Sequence, residues 1–546
     1  MSLHPRNIPE VPEETAEVAH KAFPKGNVYL QMRDMFGSIY TDDEFADLYP
    51  RDGQSAISPW RLALVTVMQY AENLSDRQAA DAVRDRIAWK YALSLELRDA
   101  GFDYSVLSEF RTRLLEGNAG QRLLDRMLEQ FQTYGLLKAG GQQRTDSTHV
   151  LAAVRELNRL ENVGETLRHA LNSLTVVAPD WLRGQVTPDW FERYSQRVEQ
   201  YRLPKSKQKQ EELAEIIGQD GYFLLDAIDT SESMSWLRAI PAVETLRQVW
   251  VQQFWLDHEQ VRQREVKDMP PVGAWIRSPY DTQARYCTKR TTSWVGYRVH
   301  LTETCDEQAP RIITQVTTRA ATVQDDDALE DIQADLHAKN LLPGQHLVDE
   351  GYVDSDNLVK SWQKYQVDLV GPAPKDTTWQ AQHEQGLDNT QFIIDWDNRQ
   401  VICPAGQVNK TWYDTTDRHG EPVSRIRFDP RVCQSCLLRQ HCTHGTEARG
   451  LTLRPKERHE ALQIARQREH TDDFKEIYRK RAGVEGTISE SVRDQGLRRA
   501  RYIGLDKTQL QSLATAAAIN LTRALAWLNE VPLAPTRKSH FAGLAA

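Results

Sequence analysis

Cysteine is scarce, with six in 546 residues. That excludes a disulfide framework as the source of stability. Long apolar runs are missing too: no stretch approaches the ~18 residues of a membrane span. The N-terminal "MSLHPRNIPEVPEE" lacks the apolar core of a signal peptide. The expectation is a cytoplasmic protein with no membrane partner. Positive charge is also short: 68 Lys and Arg stand against 77 Asp and Glu, for a net charge of -9. Bulk charge therefore does not mark a polyanion binder, and any such role must rest on local basic patches. The chain has no glycine loop of the kind that cradles a nucleotide's phosphates, so energy input from ATP is not implied. Internal repeats and low-complexity tracts are likewise missing.

The hydrophobic fraction, 40%, and the charged fraction, 27%, are those of a soluble protein. The length allows more than one domain and a sizeable core. Residues 1–135 read as a helical module; "LSDRQAADAVRDR" within it is compatible with a helix-turn-helix or a plain bundle. A short strand bearing Asp146 is expected in 136–152, and a polar helical insertion in 153–268. Residues 269–374 hold a strand hairpin, "WVGYRVHLTET" with "RIITQVTT", then a helix, a strand ending at Asp349, a helix and a last short strand. Residues 375–452 are turn-rich and hold most of the cysteines. Residues 453–532 are helical, and 533–546 read as a flexible tail. The fold class is a mixed α/β core broken by two insertions.

One stretch departs from the acidic background. "YRKRAGVEGTISESVRDQGLRRARY", from Tyr478 to Tyr502, is densely basic yet carries Glu485 at its centre. In a continuous helix Tyr478, Arg481 and Glu485 share a face. Asp349 in "HLVDEGY" and Asp146 in "RTDSTHV" each follow a strand pattern, where an Asp serves either chemistry or a turn. Asp354 and Asp356 read as caps of the next helix. Three carboxylates from two strands and a helix suit two divalent cations with oxygen preference, magnesium or manganese. Two such ions serve phosphodiester chemistry, and the surrounding arginines would neutralise DNA phosphates.

In order, "ISPWRLALVTVMQYAENLSDRQAADAV", "TDSTHV", "SPYDTQARYCTKRTTSWVGYRVHLTETCD", "LVDEGYVDSDNL", "CPAGQ" with "CQSCLLRQHC", and "YRKRAGVEGTISESVRDQGLRRARYIG" span nearly the whole chain. The set resembles bacterial insertion-sequence transposases of the DDE class. These have an RNase H-like core, an N-terminal helical transposase domain and a cysteine-bearing C-terminal region. The resemblance implies Asp146, Asp349 and Glu485 as the catalytic, metal-holding acids. It implies Tyr478 and Arg481 as members of the motif Tyr, two residues, Arg, three residues, Glu, with DNA contacts there and at Arg493, Arg498 and Arg499. Many relatives carry a Lys six residues after the Glu; here that position is Val492, and Arg493 stands beside it. Glu490 is a rival third acid. The implied reaction is cleavage of double-stranded DNA at the element's terminal inverted repeats, then attack of the freed 3′-hydroxyl on target DNA. Two ends must be handled together, so a homodimer or higher oligomer is expected. The rival readings are an RNase H-like nuclease or junction resolvase, and a transposase-derived DNA-binding protein that no longer cuts.

Cys403, Cys433, Cys436 and Cys442 carry a CxxC pair with two outlying thiols, a pattern for one structural zinc. His441 or His444 could replace a ligand. Cys287 and Cys305 read as plain thiols. Arg285, Lys289 and Arg290, just before the expected hairpin, are candidates for phosphate contact. Trp379, Trp396 and Trp412 read as packing residues, and His149 as marginal to the site.

Overall fold

The computed structural model describes residues 1–258 and 260–532; the tail expected at 533–546 lies outside the described residues. A mixed sheet occupies the centre. Its strands are β1 (Gln142–Leu151), β2 (Arg285–Lys289), β3 (Thr292–Thr304), β4 (Ile313–Ala320), β5 (Gln345–Leu347) and β6 (Asp368–Val370). β3 is antiparallel to β1, β2 and β4, while β5 runs parallel to β1 and β6 parallel to β5. An antiparallel group continued by two parallel strands is typical of RNase H-like folds. The sequence reading missed β2, which folds back on β3 through a turn where Arg290 adopts φ 56°. Gly296 has no alternative: a Cβ there would lie 2.1 Å from the Val150 carbonyl oxygen, where β3 crosses the end of β1.

The helix Leu505–Leu528 is buried nearly all round, with Leu510, Leu513, Ala517, Ile519, Leu521 and Leu525 inside. A helix of that kind belongs inside a protein. It packs on β4 and on N-terminal helices, including Pro59–Ala71 and Arg122–Thr133. One apolar core therefore runs from Trp60 and Phe131 through this helix to Val299 and Val316 of the sheet. Position 135 separates two sequence patterns but not two cores.

The 153–268 region has a core of its own, including Val163, Leu167, Leu224, Leu246, Trp250 and Phe254. Gly221 lets the helix Lys207–Thr230 close on Trp250, since a Cβ would stand 2.1 Å from the indole ring. A hairpin, Phe254–Asp257 with Gln260–Gln263, appears where helix alone was expected. Residues 375–452 form small antiparallel sheets over Phe392, Val401, Ile426, Phe428, Leu451 and Leu453. Trp396 and Trp412 pack edge to face beside that core, and Trp379 lies over the His444 ring.

Candidate active site

Side chains alternate along β1, so Arg144, Asp146 and Thr148 share one face. Each has a separate task. Arg144 is buried opposite Glu303 of β3, with Nη2 2.5 Å from Glu303 Oε1. It also donates to the carbonyl of Lys480, which brings the Glu485 segment onto the sheet. Asp146 follows, and Thr148 Oγ1 accepts from Arg498 Nε at 2.9 Å. β5 pairs Leu347 with Arg144. Extending that register by two residues brings Asp349 level with Asp146. Asp349 Oδ1 accepts the Gly351 N–H at 3.0 Å, which fixes the turn leaving the strand.

The segment bearing Glu485 is not one continuous helix. The helix Asp472–Arg479 passes through a 3-10 turn, Lys480–Ala482, into the helix Gly483–Asp494. Gly483 makes this approach possible: a Cβ would sit 2.1 Å from Arg144 Nη1. Arg481 turns inward and bridges two acids, with Nη2 2.7 Å from Asp146 Oδ2 and Nη1 3.1 Å from Glu485 Oε1. Expected to meet DNA, it is 13% exposed and committed to carboxylates. Tyr478 stacks on Phe474 and is half-buried. Burial raises its phenol, with Arg481 opposing and Asp349 and Asp146 adding to the rise.

Burial also raises the Asp146 carboxyl; Arg481 pulls it down, and the charge of Asp349 pushes it up. Asp146 and Glu485 line one cleft of about 370 Å³ with Thr148, Val492, Arg493 and Arg498. Arg493 is exposed and pairs with Asp494 at 2.7 Å. Arg498 and Arg499 lie where the chain runs along the end of β1, Leu151 donating to the Arg498 carbonyl at 2.8 Å. Lys289 reaches Asp325 at 3.2 Å, and Arg290 is exposed at the hairpin tip. Arg285 is half-buried and donates to the Thr282 carbonyl.

Glu490, the rival acid, is held elsewhere. Its Oε2 is 2.7 Å from Arg523 Nη2, within a network joining Arg523, Glu303, Thr487 and Arg144. His149 packs against Trp294. The sequence reading gave no place in the site to Glu303, Arg523, Arg298 or Asp325. A signal was present in "YRVHLTE": a buried strand with so many polar side chains must partner each of them.

Cys403, Cys433, Cys436 and Cys442 line one small cavity. Cys403 Sγ accepts the Gln407 N–H at 3.4 Å. Burial raises the Cys442 thiol, with Arg449 opposing. His441 lies beside Gln440. Cys305 is buried, and its thiol is pushed up to about 12. Among the described residues, no group of three or more His, Cys, Asp and Glu stands close enough to hold a metal ion as placed. No helix among them is long and apolar enough to cross a membrane.

Residues 402–525 match the family described as a transposase DDE domain, a span that includes Glu485 and the four clustered cysteines. Residues 17–113 match the transposase domain DUF772. No curated protein matches the chain. The chain thus carries a transposase DDE domain and a second transposase domain, a pairing consistent with an insertion-sequence transposase.

Proposed function

We propose that the protein cuts DNA at the ends of its element and joins the freed 3′-hydroxyls to target DNA, with Asp146, Asp349 and Glu485 as the catalytic acids. One observation carries this reading: the Arg481 guanidinium bridges Asp146 and Glu485, two acids that line the same open cleft. The donor set is all carboxylate oxygen, which suits magnesium or manganese. Arg481 stands in for the positive charge such a site requires. Two ions bound there would activate the attacking oxygen and stabilise the leaving one.

The chain's own residues supply position and charge. The Ser147 N–H holds Asp146 Oδ1 at 2.8 Å, and Arg481 holds Oδ2 at 2.7 Å. Arg493 and Arg498 border the cleft, where they would neutralise the phosphates flanking the reacting bond. Handling two ends together calls for a homodimer or higher assembly on DNA. The cysteine cavity supports a structural zinc held by Cys403, Cys433, Cys436 and Cys442; closing the four thiolates on one ion would pin a region with a small apolar core.

The test is strand transfer in vitro, using DNA ends from the gene's own flanks with magnesium or manganese. Wild type joins ends to target, and Glu485→Gln does not. Cutting without joining would overturn transposition in favour of a nuclease or resolvase. Tight end binding without cutting would identify a DNA-binding descendant.

A further inference from the structure

Asp325 opens the helix Asp325–Ala338, yet its side chain is buried. Three segments around the candidate acids converge on it. From β1, Ser147 donates its hydroxyl to Asp325 Oδ1 at 2.8 Å, directly beside Asp146 in sequence. From the β2–β3 hairpin, Arg298 Nη1 stands 3.0 Å from Oδ1 and Lys289 Nζ 3.2 Å from Oδ2. From the turn after β5, the Gly351 backbone passes so close that a Cβ would lie 3.1 Å from both Asp325 Oδ2 and Asp349 Oδ1. His300 Nδ1 lies 3.9 Å from Oδ1 and 2.6 Å from the Tyr352 hydroxyl, closing the group from below.

The two cations differ in what they can still do. Arg298 is buried and already spent on Asp325. Lys289 is about half exposed, at 49%, and its charge is felt at the Asp146 carboxyl. One face of its ammonium is held by Asp325, and the rest is open to solvent at the edge of the site. An ammonium has three donors, so it can serve a phosphate oxygen while keeping its carboxylate partner. A lysine on a hairpin tip has a mobile four-carbon stem; the buried carboxylate removes that freedom before substrate arrives.

We propose that Asp325 is a positioning residue that fixes Lys289 beside the acids, so that Lys289 contacts a phosphate of the reacting strand. This rests on the DNA-cutting reading above. Asp325 itself touches no substrate and acts through Lys289.

The test is a double-mutant cycle on the full-length protein with a duplex carrying the gene's own end sequence and manganese. Single-turnover cleavage and the salt dependence of duplex binding are both measured. Lys289→Gln slows cleavage at least tenfold and lowers the slope of log K against log salt by about 1, the mark of one lost phosphate contact. Lys289→Arg restores most of both. Asp325→Asn slows cleavage comparably, but adds little in the Lys289→Gln background. Equal losses from Asp325→Asn in both backgrounds would overturn the proposal, because the residue would then be supporting the fold generally. Lys289→Gln alone is a second check, since an exposed side chain is replaced without risk to folding. If that variant cuts and binds as wild type does, the proposal falls whatever Asp325→Asn does. Failure of wild type itself to cut would overturn the DNA-cutting reading and this inference together. Cutting by wild type with no effect of Lys289→Gln overturns this inference alone.

Discussion

Arg523 holds Glu490, with Nη2 2.7 Å from Oε2, and the same guanidinium places Nη1 2.8 Å from Glu303 Oε2. The helix Gly483–Asp494 thus carries two glutamates with opposite commitments, Glu490 to the interior and Glu485 to the cleft. Glu490→Gln is expected to lower stability by about 1 kcal/mol and to leave cleavage within a few-fold of wild type. Glu485→Gln is expected to abolish cleavage with little change in Tm. Thermal melts paired with the cleavage assay check both.

Arg481 competes for the oxygens that a divalent ion would use. Its replacement by Gln should tighten manganese binding in the absence of DNA several-fold, measured by calorimetry with Asp146→Asn as the control for site. Cleavage should fall at the same time, because the arginine no longer orients Asp146 and Glu485.

The pH dependence of Asp146 follows from its burial. A carboxyl whose folded pKa lies above its unfolded one stabilises the fold below the unfolded value, and that contribution is lost as pH rises through the folded value. At neutral pH the ionised Asp146 is a net cost. Asp146→Asn is expected to abolish cleavage while raising Tm on the order of a degree at pH 7. The gap should close as pH falls toward the ordinary carboxylate range near ~4. Melts across that range decide it.

Gly483 is the contact point between the Glu485 helix and the buried Arg144. Gly483→Ala forces a Cβ onto a guanidinium that Glu303 holds in place. The expected loss is about 1–3 kcal/mol, the usual range for overpacking, together with slower cleavage as Glu485 is pushed off the sheet. Urea titration and single-turnover rates measure the two effects separately.

Elemental analysis of purified protein is expected to give one zinc per chain. Cys433→Ser with Cys436→Ser should lose it and should raise protease sensitivity within 375–452. Retention of zinc by the double variant would place the ion elsewhere.

Much of this arrangement was legible in the residues. The alternation in "WVGYRVHLTET" marked β3, and "HLVDEGY" marked the β5 strand and its turn. The cap role of Asp354 is present too, its carboxylate accepting the Asn357 N–H at 2.6 Å. The edge strand β2 was not legible, because half-polar "RYCTK" has no apolar period. The break between Tyr478 and Glu485 was hidden, since a 3-10 turn keeps helical composition while shifting the face. The partners of Arg144 and Asp325 were beyond reach for a different reason. They lie 159 residues away at Glu303 and 178 away at Ser147, and periodicity reports local geometry only.

The Leu505–Leu528 helix has a consequence for how the protein comes into being. Its buried alanines complete a core whose other wall, around Trp60 and Phe131, leaves the ribosome more than three hundred and fifty residues earlier. Contacts so distant in sequence form late and slowly. Until that helix arrives, the early helices and the sheet both present bare apolar surface. A chain lacking that helix is thus open to chaperones and proteases, and the cleft's supporting core closes only once it has been made. The dosage of folded protein is thereby tied to the synthesis of its C-terminal helix Leu505–Leu528.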